Sequence, residues 1–506
     1  MKKKTFLRKL GSFLSGQLLI VGLLLILQLA LLGMIFFRFA DFFPWFYLVC
    51  LVLSLLVCAS LINKDTDPEF KLSLIVPILL FPFFGGLIYL LFRRHAMGPR
   101  MKKRWRAMQA AEAEPSCPVP PGVPQLEKTV RAMENAGFSL CENSGSQYFP
   151  VGEEMWEDML RRLEQAEKYI FLEYFIIEQG EMWNRVLEIL QRKAAQGLDV
   201  RVIYDGVGCL TTLPPHYDRK LAELGIRCRI FNPFIPVLTI RHNNRDHRKI
   251  LVVDGKIGYT GGINMADEYI NRTHRFGHWK DGGVRLEGES AWQLTRSFLT
   301  MWQLLAGEQE PIHDFRPDGG CAPGGDGLAL IHSSEPLGDP VARDLYFALI
   351  TGAQRSVWLY TPYFVPDQST LTALTLAARS GLDVRVITPR IGDKWYVHRV
   401  TRYHYRELTE SGVRVFEYTP GFVHTKGLIC DGETALVSSA NLDFRSFFLQ
   451  FEVGALLHRA QAVEQMARDF LATQEQSMEI TEQMTHSRRF GDGLLKALLK
   501  LFAPLM

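Results

Sequence analysis

The segment Gly197-Leu-Asp-Val-Arg-Val-Ile203 recurs without change as Gly381-Leu-Asp-Val-Arg-Val-Ile387. Each copy follows a helical stretch that contains Ala-Ala, and each predicts a turn that leads into a buried strand. An apolar strand is also predicted before each helix, over 169–177 and 357–364. The order strand, helix, strand is typical of a βαβ unit with a parallel sheet. The repeat therefore predicts two related α/β halves.

Composition marks the limits of these halves. The Pro-rich, aperiodic stretch 107–124 predicts a linker, and the Gly-rich stretch 319–327 predicts the joint between the halves. We therefore assign 125–318 to the first half and 328–485 to the second. The remaining residues, 486–506, form a separate amphipathic C-terminal segment.

The charges of the 506-residue chain nearly cancel, since 57 Lys and Arg and 54 Asp and Glu leave a net charge of +3. This charge gives no basic field for wrapping nucleic acid, and 47% hydrophobic residues exclude a disordered chain. In the N-terminal region 1–95, the stretches 17–37, 42–62 and 72–92 each lack Asp, Glu, Lys and Arg. About 20 apolar residues cross the hydrocarbon layer as a helix. We therefore predict a membrane region of two or three spans and exclude a soluble protein.

The positive residues indicate which side of the membrane carries the folded part. Five Lys or Arg precede the first stretch, and seven lie between residues 93 and 106. The positive-inside rule places both clusters in the cytoplasm. Three full spans would instead put them on opposite sides of the membrane. The third stretch is therefore a candidate for a kinked or re-entrant path. We predict a cytoplasmic active-site domain because the larger cluster lies beside it. We predict that the first stretch is a span and not a cleaved signal peptide, because its apolar run is too long.

Each half carries the same polar pattern after the repeated heptamer. A histidine is followed by a lysine two residues later, an aspartate seven later and an asparagine seventeen later. These residues are His247, Lys249, Asp254 and Asn264 in the first half, and His424, Lys426, Asp431 and Asn441 in the second. Residues two apart on a strand point to the same side, so each His and Lys should project into one site. A single His-x-Lys motif on a strand would usually be a solvated pair of surface side chains. Two copies of the whole four-residue pattern at identical offsets are not plausibly coincidental.

The residue types indicate phosphate chemistry. Imidazole titrates near neutrality, so one histidine can attack a phosphorus atom while the other holds a proton. Two lysines and two asparagines can neutralise and hydrogen-bond the phosphate oxygens as charge builds on them. The neighbouring His242, His274 and His278 fit no metal-ligand spacing. We therefore expect neither a metal ion nor another cofactor.

These motifs resemble those of the phospholipase D superfamily, whose members carry paired His-x-Lys-x-x-x-x-Asp motifs with a downstream asparagine. Further stretches are similar to the bacterial cardiolipin synthase family within it, namely 81–90 (FPFFGGLIYL), 244–249 (NRDHRK), 361–366 (TPYFVP) and 441–446 (NLDFRS). The resemblance runs from about residue 42 to the C-terminus. It implies an α/β fold of two phospholipase D-like halves related by a pseudo-twofold axis, with mixed sheets flanked by helices, behind N-terminal transmembrane helices.

The resemblance also implies an activity. Family members are phosphatidyltransferases that condense two phosphatidylglycerol molecules into cardiolipin and glycerol, through a phosphohistidine at the interface of the halves. The implied partners are phosphatidylglycerol and the bilayer of the bacterial cell membrane, with no nucleic acid. A hydrolytic phospholipase D is the nearest alternative. A nuclease fits the spans poorly, and an inactive membrane scaffold would have no reason to keep both motifs.

Site roles follow from the same resemblance. It implies catalytic roles for the motif residues His247, Lys249, Asp254, His424, Lys426 and Asp431. It implies phosphate contacts for Asn264, Asn441 and Ser439, whereas Gly262 stands where the superfamily usually has serine. The halves are too alike to tell which histidine attacks, and we choose His247 by analogy with superfamily members.

An acidic residue after each motif orients the motif histidine in many relatives. Glu452, 28 residues after His424, fits that role well. For His247 the candidate is Asp281, 34 residues on, which requires a small insertion.

The C-terminal segment places six large apolar residues around Lys496 and Lys500. That pattern is typical of a helix lying on anionic lipid. A helix that packs on the folded domain is the equally weighted alternative.

Overall fold

The computed structural model describes residues 26–34, 43–64, 67–82, 103–105, 107–108, 115–234, 244–307, 309–318, 320–321, 324–336, 339–485 and 492–505. They belong to two compact units, which we describe one at a time. The N-terminal unit comprises 1–98 with 232–243, and the larger unit comprises 99–231 with 244–506.

The N-terminal unit contains helices at 26–34, Phe43–Ile62 and Pro68–Leu80. Asp67 caps the last of these, because its carboxylate accepts a hydrogen bond from the Glu69 N–H at 2.8 Å. Among the described residues, one helix, Trp45–Ile62, is long and apolar enough to cross a membrane. It coincides with the predicted span 42–62. The predicted spans 17–37 and 72–92 lie partly outside the described residues, so the number of spans stays a prediction.

The first half builds a seven-stranded mixed sheet in the order β2-β10-β8-β7-β3-β4-β5. Its strands are β2 (Gly145–Phe149), β3 (Tyr169–Tyr174), β4 (Asp199–Asp205), β5 (Arg227–Phe231), β7 (Lys249–Val253), β8 (Ile257–Gly261) and β10 (Gly283–Glu287). The flanking α-helices are Gly152–Glu164, Glu181–Ala195, Tyr217–Glu223 and Glu289–Ala306, with 3₁₀ turns at Asp267–Ile270 and Ile312–Phe315.

The second half builds a ten-stranded mixed sheet in the order β1-β11-β20-β18-β17-β12-β14-β15-β21, with β6 paired to β20. Its strands are β1 (Leu140–Glu142), β6 (Arg245–Asp246), β11 (Leu328–Ser334), β12 (Ser356–Tyr360), β14 (Asp383–Pro389), β15 (Arg414–Tyr418), β17 (Gly427–Cys430), β18 (Thr434–Ser438), β20 (Gln450–His458) and β21 (Ser477–Ile480). The α-helices are Val341–Gly352, Gln368–Arg379, Trp395–Glu410, Phe444–Phe448, Gln461–Glu475 and Glu482–Thr485. A two-stranded sheet joins β13 (Phe364–Val365) to β19 (Leu442–Asp443).

Residues that precede the first sheet pack with the second. The helix Pro124–Asn135 buries Leu126, Val130 and Met133 in the core of the second half, and β1 pairs antiparallel with β11. We assigned these residues to the first half on sequence, whereas their apolar side chains complete the core of the second.

The repeated heptamer occupies equivalent places in the two sheets. Gly197 and Gly381 adopt φ values of +94° and +92°, which favour glycine, and the residues after them form β4 and β14. β3 pairs in parallel with β4, and β12 with β14, each across an intervening helix. All six residues of β3 are buried, as expected for a strand covered on both faces. The predicted α/β fold with two related halves is confirmed.

Two short strand pairs join the halves. β6 belongs to the first half of the sequence but pairs in parallel with β20 of the second half. β9 (His278–Lys280) of the first half runs parallel to β16 (Gly421–Val423) of the second. In both pairs, a strand that leads into one histidine motif lies beside a strand from the other half. These two pairs position the site.

The C-terminal helix Asp492–Phe502 packs on the second half through one face. Leu499 of this helix and Ala503, in the 3₁₀ turn that follows it, are buried against Val397 and Val400 of the helix Trp395–Glu410. Its other face leaves Leu494, Leu498 and Phe502 exposed. The helix therefore packs on the folded domain through its buried face, as one of the two alternatives expected. Contact of its exposed face with lipid stays a prediction.

Candidate active site between the two halves

The structure brings both motif histidines to one cavity, and it buries the lysine two residues after each of them. His247 follows β6 and Lys249 begins β7, while His424 follows β16 and Lys426 precedes β17. All four residues are buried, with exposed fractions of 8% or less. Both histidines line a cavity of about 290 Å³ between the halves. The two copies of the motif therefore form a single site.

Each histidine faces the acid of the other half, which corrects the pairing expected from sequence. His247 Nδ1 lies 2.9 Å from Glu452 Oε1, and His424 Nδ1 lies 2.6 Å from Asp281 Oδ2. We expected Glu452 to serve His424 and Asp281 to serve His247. A carboxylate can only accept, so Nδ1 of His247 donates to Glu452 and its Nε2 keeps its lone pair for the cavity. The His424 ring lies between Asp281 and Lys426, whose Nζ is 2.7 Å from Nδ1 and 3.0 Å from Nε2.

The exchange follows from the strand pairs that join the halves. The His247 N–H donates to the Phe451 carbonyl at 2.9 Å, and the His424 N–H donates to the Lys280 carbonyl at 2.6 Å. In each case the next residue along the partner strand is the acid. A short parallel pairing between the halves thus places the carboxylate beside the histidine of the opposite half.

Burial shifts the pKa of the histidines and of their acids in opposite directions. Desolvation, reinforced by Lys249 and Lys426, holds the pKa of both histidines well below the usual range, so the imidazoles are neutral at neutral pH. Desolvation raises the pKa of Asp281 and of Glu452 to about 7. A neutral imidazole with a free Nε2 is the form that can act as a nucleophile.

The two lysines are similarly perturbed. Each Nζ donates to the carbonyl oxygen of the histidine two residues earlier. Burial lowers the pKa of Lys249 to about 7 and of Lys426 to about 8. The anionic oxygens of a bound phosphate would favour the charged lysines and offset this desolvation.

The motif aspartates lie outside the cavity, which corrects the catalytic role expected for Asp254 and Asp431. They directly follow β7 and β17, roughly 20 Å along the chain from the histidines. Both adopt positive φ, and their carboxylates accept hydrogen bonds from consecutive backbone N–H groups. The donors are Glu167, Lys168 and Tyr169 for Asp254, and Gln354, Arg355 and Ser356 for Asp431. These aspartates anchor the start of the neighbouring strand.

Both motif asparagines line the cavity, but their side-chain amides differ in their hydrogen-bond partners. Asn264 Oδ1 accepts from the Ile176 N–H at 3.1 Å, and its Nδ2 donates to the Tyr269 hydroxyl at 2.6 Å. Asn441 Oδ1 is buried and has no hydrogen-bond partner among the described residues. An amide oxygen can only accept, so this atom suits a substrate hydroxyl, and a phosphate contact of Asn441 would have to use Nδ2.

Ser439 does not reach the cavity, which corrects its expected contact with phosphate. Its hydroxyl donates to Glu452 Oε2, so the serine positions the acid that faces His247. At the matching position a Cβ on Gly262 would lie 2.2 Å from Asp281 Oδ1. Asp281 Oδ1 has no hydrogen-bond partner within the described ranges.

The cavity also contains cations that the sequence interpretation missed, namely Arg245, Lys394 and Arg445. Arg245 stands two residues before His247, so the alternation that placed Lys249 beside His247 could have identified it. Arg445 lies four residues after Asn441, where no spacing rule pointed to the cavity.

The arrangement suits transfer of a phosphoryl group between two oxygens. One neutral imidazole can attack, the other can exchange a proton, and the lysines can neutralise the phosphate oxygens. Across the described part of the chain, no group of three or more His, Cys, Asp or Glu is placed to hold a metal ion. Metal-free chemistry stays a prediction.

Comparison with known proteins assigns both halves to one family. The model for the cardiolipin synthase, phospholipase D-like domain matches 159–302 and 346–473. A second model, for the N-terminal region of phospholipase D-nuclease proteins, matches 52–94.

Curated relatives match over nearly the full length. The cardiolipin synthase of Geobacillus kaustophilus is 35% identical over 90% of this chain and 92% of its own. That of Listeria monocytogenes is 31% identical over 89% of this chain and 96% of its own. Among solved structures, the phosphatidylserine synthase of Haemophilus influenzae aligns with a TM-score of 0.57 at 15% identity, over 75% of this chain and 97% of its own. That likeness shows the shared two-half fold.

Proposed function

The chain belongs to the cardiolipin synthase family of the phospholipase D superfamily, and we propose that it joins two phosphatidylglycerol molecules into cardiolipin and releases glycerol. It is a phosphatidyltransferase of phospholipid biosynthesis. The observation that carries the proposal is the single cavity lined by both His247 and His424, each held by an acid from the opposite half.

His247 is the nucleophile of the first step. Its Nε2 has no hydrogen-bond partner among the described residues, whereas Nε2 of His424 lies 3.0 Å from Lys426 Nζ. The His247 Nε2 lone pair forms a bond to phosphorus as the bond from phosphorus to the glycerol oxygen breaks. His424, whose pKa rises when the anionic phosphate enters, gives its proton to that oxygen.

The second step reverses the proton transfer. A hydroxyl of a second phosphatidylglycerol gives its proton to His424 and attacks phosphorus, and the bond to His247 breaks. Asp281 and Glu452 accept from Nδ1 of the two rings throughout, which holds each Nε2 toward the phosphate. Lys249 and Lys426 neutralise the equatorial oxygens.

The acceptor decides between synthesis and hydrolysis. Exchange between two phosphodiesters is nearly balanced in energy, whereas hydrolysis is strongly downhill, so the site must favour a lipid hydroxyl over water. Burial of the reacting groups supports this preference, since His247 and His424 are 8% and 7% exposed. A membrane-bound site also meets lipid hydroxyls at high local concentration.

The chain is associated with a membrane, as the apolar helix Trp45–Ile62 and the match over 52–94 indicate. We further propose a multi-pass N-terminal region in the bacterial cell membrane, with the active-site domain in the cytoplasm. The seven Lys and Arg between residues 93 and 106 support that orientation.

Product analysis tests the proposal. The full chain is reconstituted in phosphatidylglycerol vesicles, with His274→Ala, an exposed histidine, as the matched control for His424→Ala. We expect cardiolipin and free glycerol as the main products from wild type and from His274→Ala, and added glycerol should drive the reaction backward. Phosphatidic acid as the main product, insensitive to glycerol, would instead identify a hydrolytic phospholipase D.

A further inference from the structure

Two arginines line the active-site cavity without a role in the steps above. Arg245 comes from β6, and Arg445 from the helix Phe444–Phe448. Arg245 is 8% exposed, so its guanidinium is largely removed from water. Within the described residues neither arginine forms a salt bridge, although buried charges in proteins are normally paired.

Several polar atoms at this end of the cavity also lack partners. Arg245 Nη1, Arg445 Nε and Gln450 Oε1 are buried and make no hydrogen bond among the described residues. The carboxylate that acts most on Arg245 is Asp205, but its oxygens accept from the backbone N–H groups of Asp246, Val207 and Gly208. Desolvation accordingly lowers the pKa of Arg245 to about 10, and Arg445 adds to that effect. The two unpartnered arginine donors call for a ligand with acceptor oxygens and negative charge, whereas Gln450 Oε1 can only accept.

The other end of the cavity shows that the fold does not require these cations. Arg245 pairs in register with Gln450, and the equivalent register between the halves pairs Phe422 with Trp279. The residue four positions after Asn264 is Glu268, at the offset that Arg445 has from Asn441. One end of the site is therefore cationic, while the related end is aromatic and acidic.

We propose that Arg245 and Arg445 form a second phosphate subsite, which holds the phosphodiester of the acceptor phosphatidylglycerol. This inference rests on the proposed function, in which the reacting phosphate occupies the site of the two histidines. The product carries two phosphates joined by one three-carbon glycerol, so the second phosphate must lie in the same cavity. Lys249 and Lys426 are committed to the reacting phosphate, and the arginine pair supplies charge for the other.

The carboxylates of the cavity suit the glycerol part of the substrates better than phosphate. Asp393 accepts from the Tyr363 hydroxyl at 2.5 Å, and Asp443 accepts from the Ser446 N–H at 2.8 Å. Asp393, Asp443 and Glu268 all line the cavity and offer acceptor oxygens to hydroxyl groups.

Two reactions of the same protein separate the acceptor from the donor. Exchange of deuterated glycerol into phosphatidylglycerol needs the phosphohistidine and both histidines but no second phosphate. Cardiolipin synthesis needs the second phosphate as well. Both rates are measured with the full chain in phosphatidylcholine vesicles that contain varied phosphatidylglycerol, for Arg245→Gln, Arg445→Gln and Arg445→Lys. Arg406→Gln, at an exposed helix position paired with Glu410, is the matched control.

We expect Arg445→Gln and Arg245→Gln to slow cardiolipin synthesis about 10- to 100-fold at low phosphatidylglycerol, through a raised KM, while glycerol exchange stays within about twofold. Arg445→Lys should recover part of the loss, because lysine keeps the charge but not the two-pronged contact. Retained exchange also shows that each variant is folded. If Arg245→Gln loses both reactions and melts at a lower temperature, Arg445→Gln alone decides whether the arginine pair binds the acceptor phosphate.

Equal loss of both reactions in Arg445→Gln would overturn the inference and assign the arginine to the reacting phosphate. Unchanged synthesis in both glutamine variants would overturn it as well. Neither outcome affects the proposed function, which fails only if wild-type protein makes no cardiolipin.

Discussion

The acid that faces His247 and the acid that faces His424 are held by different neighbours. In the second half Ser439 donates to Glu452, whose carboxylate lies 2.9 Å from His247 Nδ1. In the first half Asp281 Oδ1 occupies the space that a Cβ on Gly262 would need. Aspartate is one methylene shorter than glutamate, so its carboxylate stays closer to its own backbone and beside Gly262. Glycine with aspartate and serine with glutamate are thus two solutions to one packing problem.

A departure from the family pattern is compensated within the site. Gly262 removes a hydroxyl, but it makes room for an acid that reaches His424 at 2.6 Å. As a result, Asp281 Oδ1 has no hydrogen-bond partner among the described residues, whereas Glu452 Oε2 accepts a hydrogen bond from the Ser439 hydroxyl. The two halves share a backbone plan and differ in how each holds its acid.

The largest effect should come from the histidines. His247→Ala and His424→Ala should each reduce cardiolipin synthesis by at least about 10³-fold, because one removes the nucleophile and the other the proton donor. The double variant should be no worse than either single variant, since both act on one phosphate. Radiolabelled product formation in vesicles measures this. Half of the wild-type rate in either single variant would indicate two independent sites.

A residue swap tests whether the pairs 262/281 and 439/452 are interchangeable. Gly262→Ser should cost about 10- to 100-fold, because its Cβ displaces Asp281 from His424. Adding Asp281→Glu should restore most of the rate, since the first half then carries the pair of the second. The measurement is kcat/KM for glycerol exchange. A double variant that is as slow as Gly262→Ser alone would refute the coupling.

The pH dependence distinguishes the lysines of the two halves. Burial lowers the pKa of Lys249 to about 7 and of Lys426 to about 8, so the cations are lost as the pH rises through this range. Burial raises the pKa of Asp281 and Glu452 to about 7, so their charges are lost as the pH falls through it. We expect kcat/KM to peak near neutrality and to fall on each limb by about tenfold per pH unit for each of these groups that is lost.

The lysine of the first half should set the start of the alkaline limb. Lys249→Arg, whose guanidinium stays charged, should move that limb up by about one pH unit, toward the limit set by Lys426. Lys426→Arg should leave its start unchanged. A profile that stays flat to about pH 10 would contradict the assignment of the lysines as the groups lost.

The smallest effect on chemistry should come from the motif aspartates. Asp254→Ala should lower the free energy of unfolding by about 2 kcal/mol, because buried N–H groups lose a charged acceptor. Asp431→Ala should cost less, since Asp431 is only half-buried whereas Asp254 is 5% exposed. The kcat of the folded fraction should change little in both. Denaturant unfolding with parallel kinetics measures this, and a large loss of kcat without loss of stability would return these residues to the catalytic site.

Much of this architecture could be predicted from local patterns. The repeated heptamer predicted the βαβ units because a turn, a buried strand and a helix are encoded within short segments. The alternation along a strand predicted that His and Lys share a side. The same alternation predicts that Arg245 shares that side, although no repeated residue in the second half marks it.

The remainder depends on contacts between distant segments. Assigning Glu452 to His247 requires knowing that β6 pairs with β20 from the other half, which no local spacing encodes. The motif alone predicts that Ser439 contacts the phosphate, because it does not show that Glu452 accepts the hydrogen bond of the serine hydroxyl. Asp254 and Asp431 were read as catalytic from their motif, although seven residues of extended chain carry them to the far end of the strand.

The central claim is that the two halves build one site with one nucleophile. The most direct test is the stoichiometry of the covalent intermediate, measured by rapid denaturing quench at neutral pH with acyl-labelled phosphatidylglycerol, followed by peptide mapping. With one nucleophile, we expect no more than one phosphatidyl group per chain, attached to His247 and absent from the His247→Ala variant. Two groups per chain, one on each of His247 and His424, would contradict it.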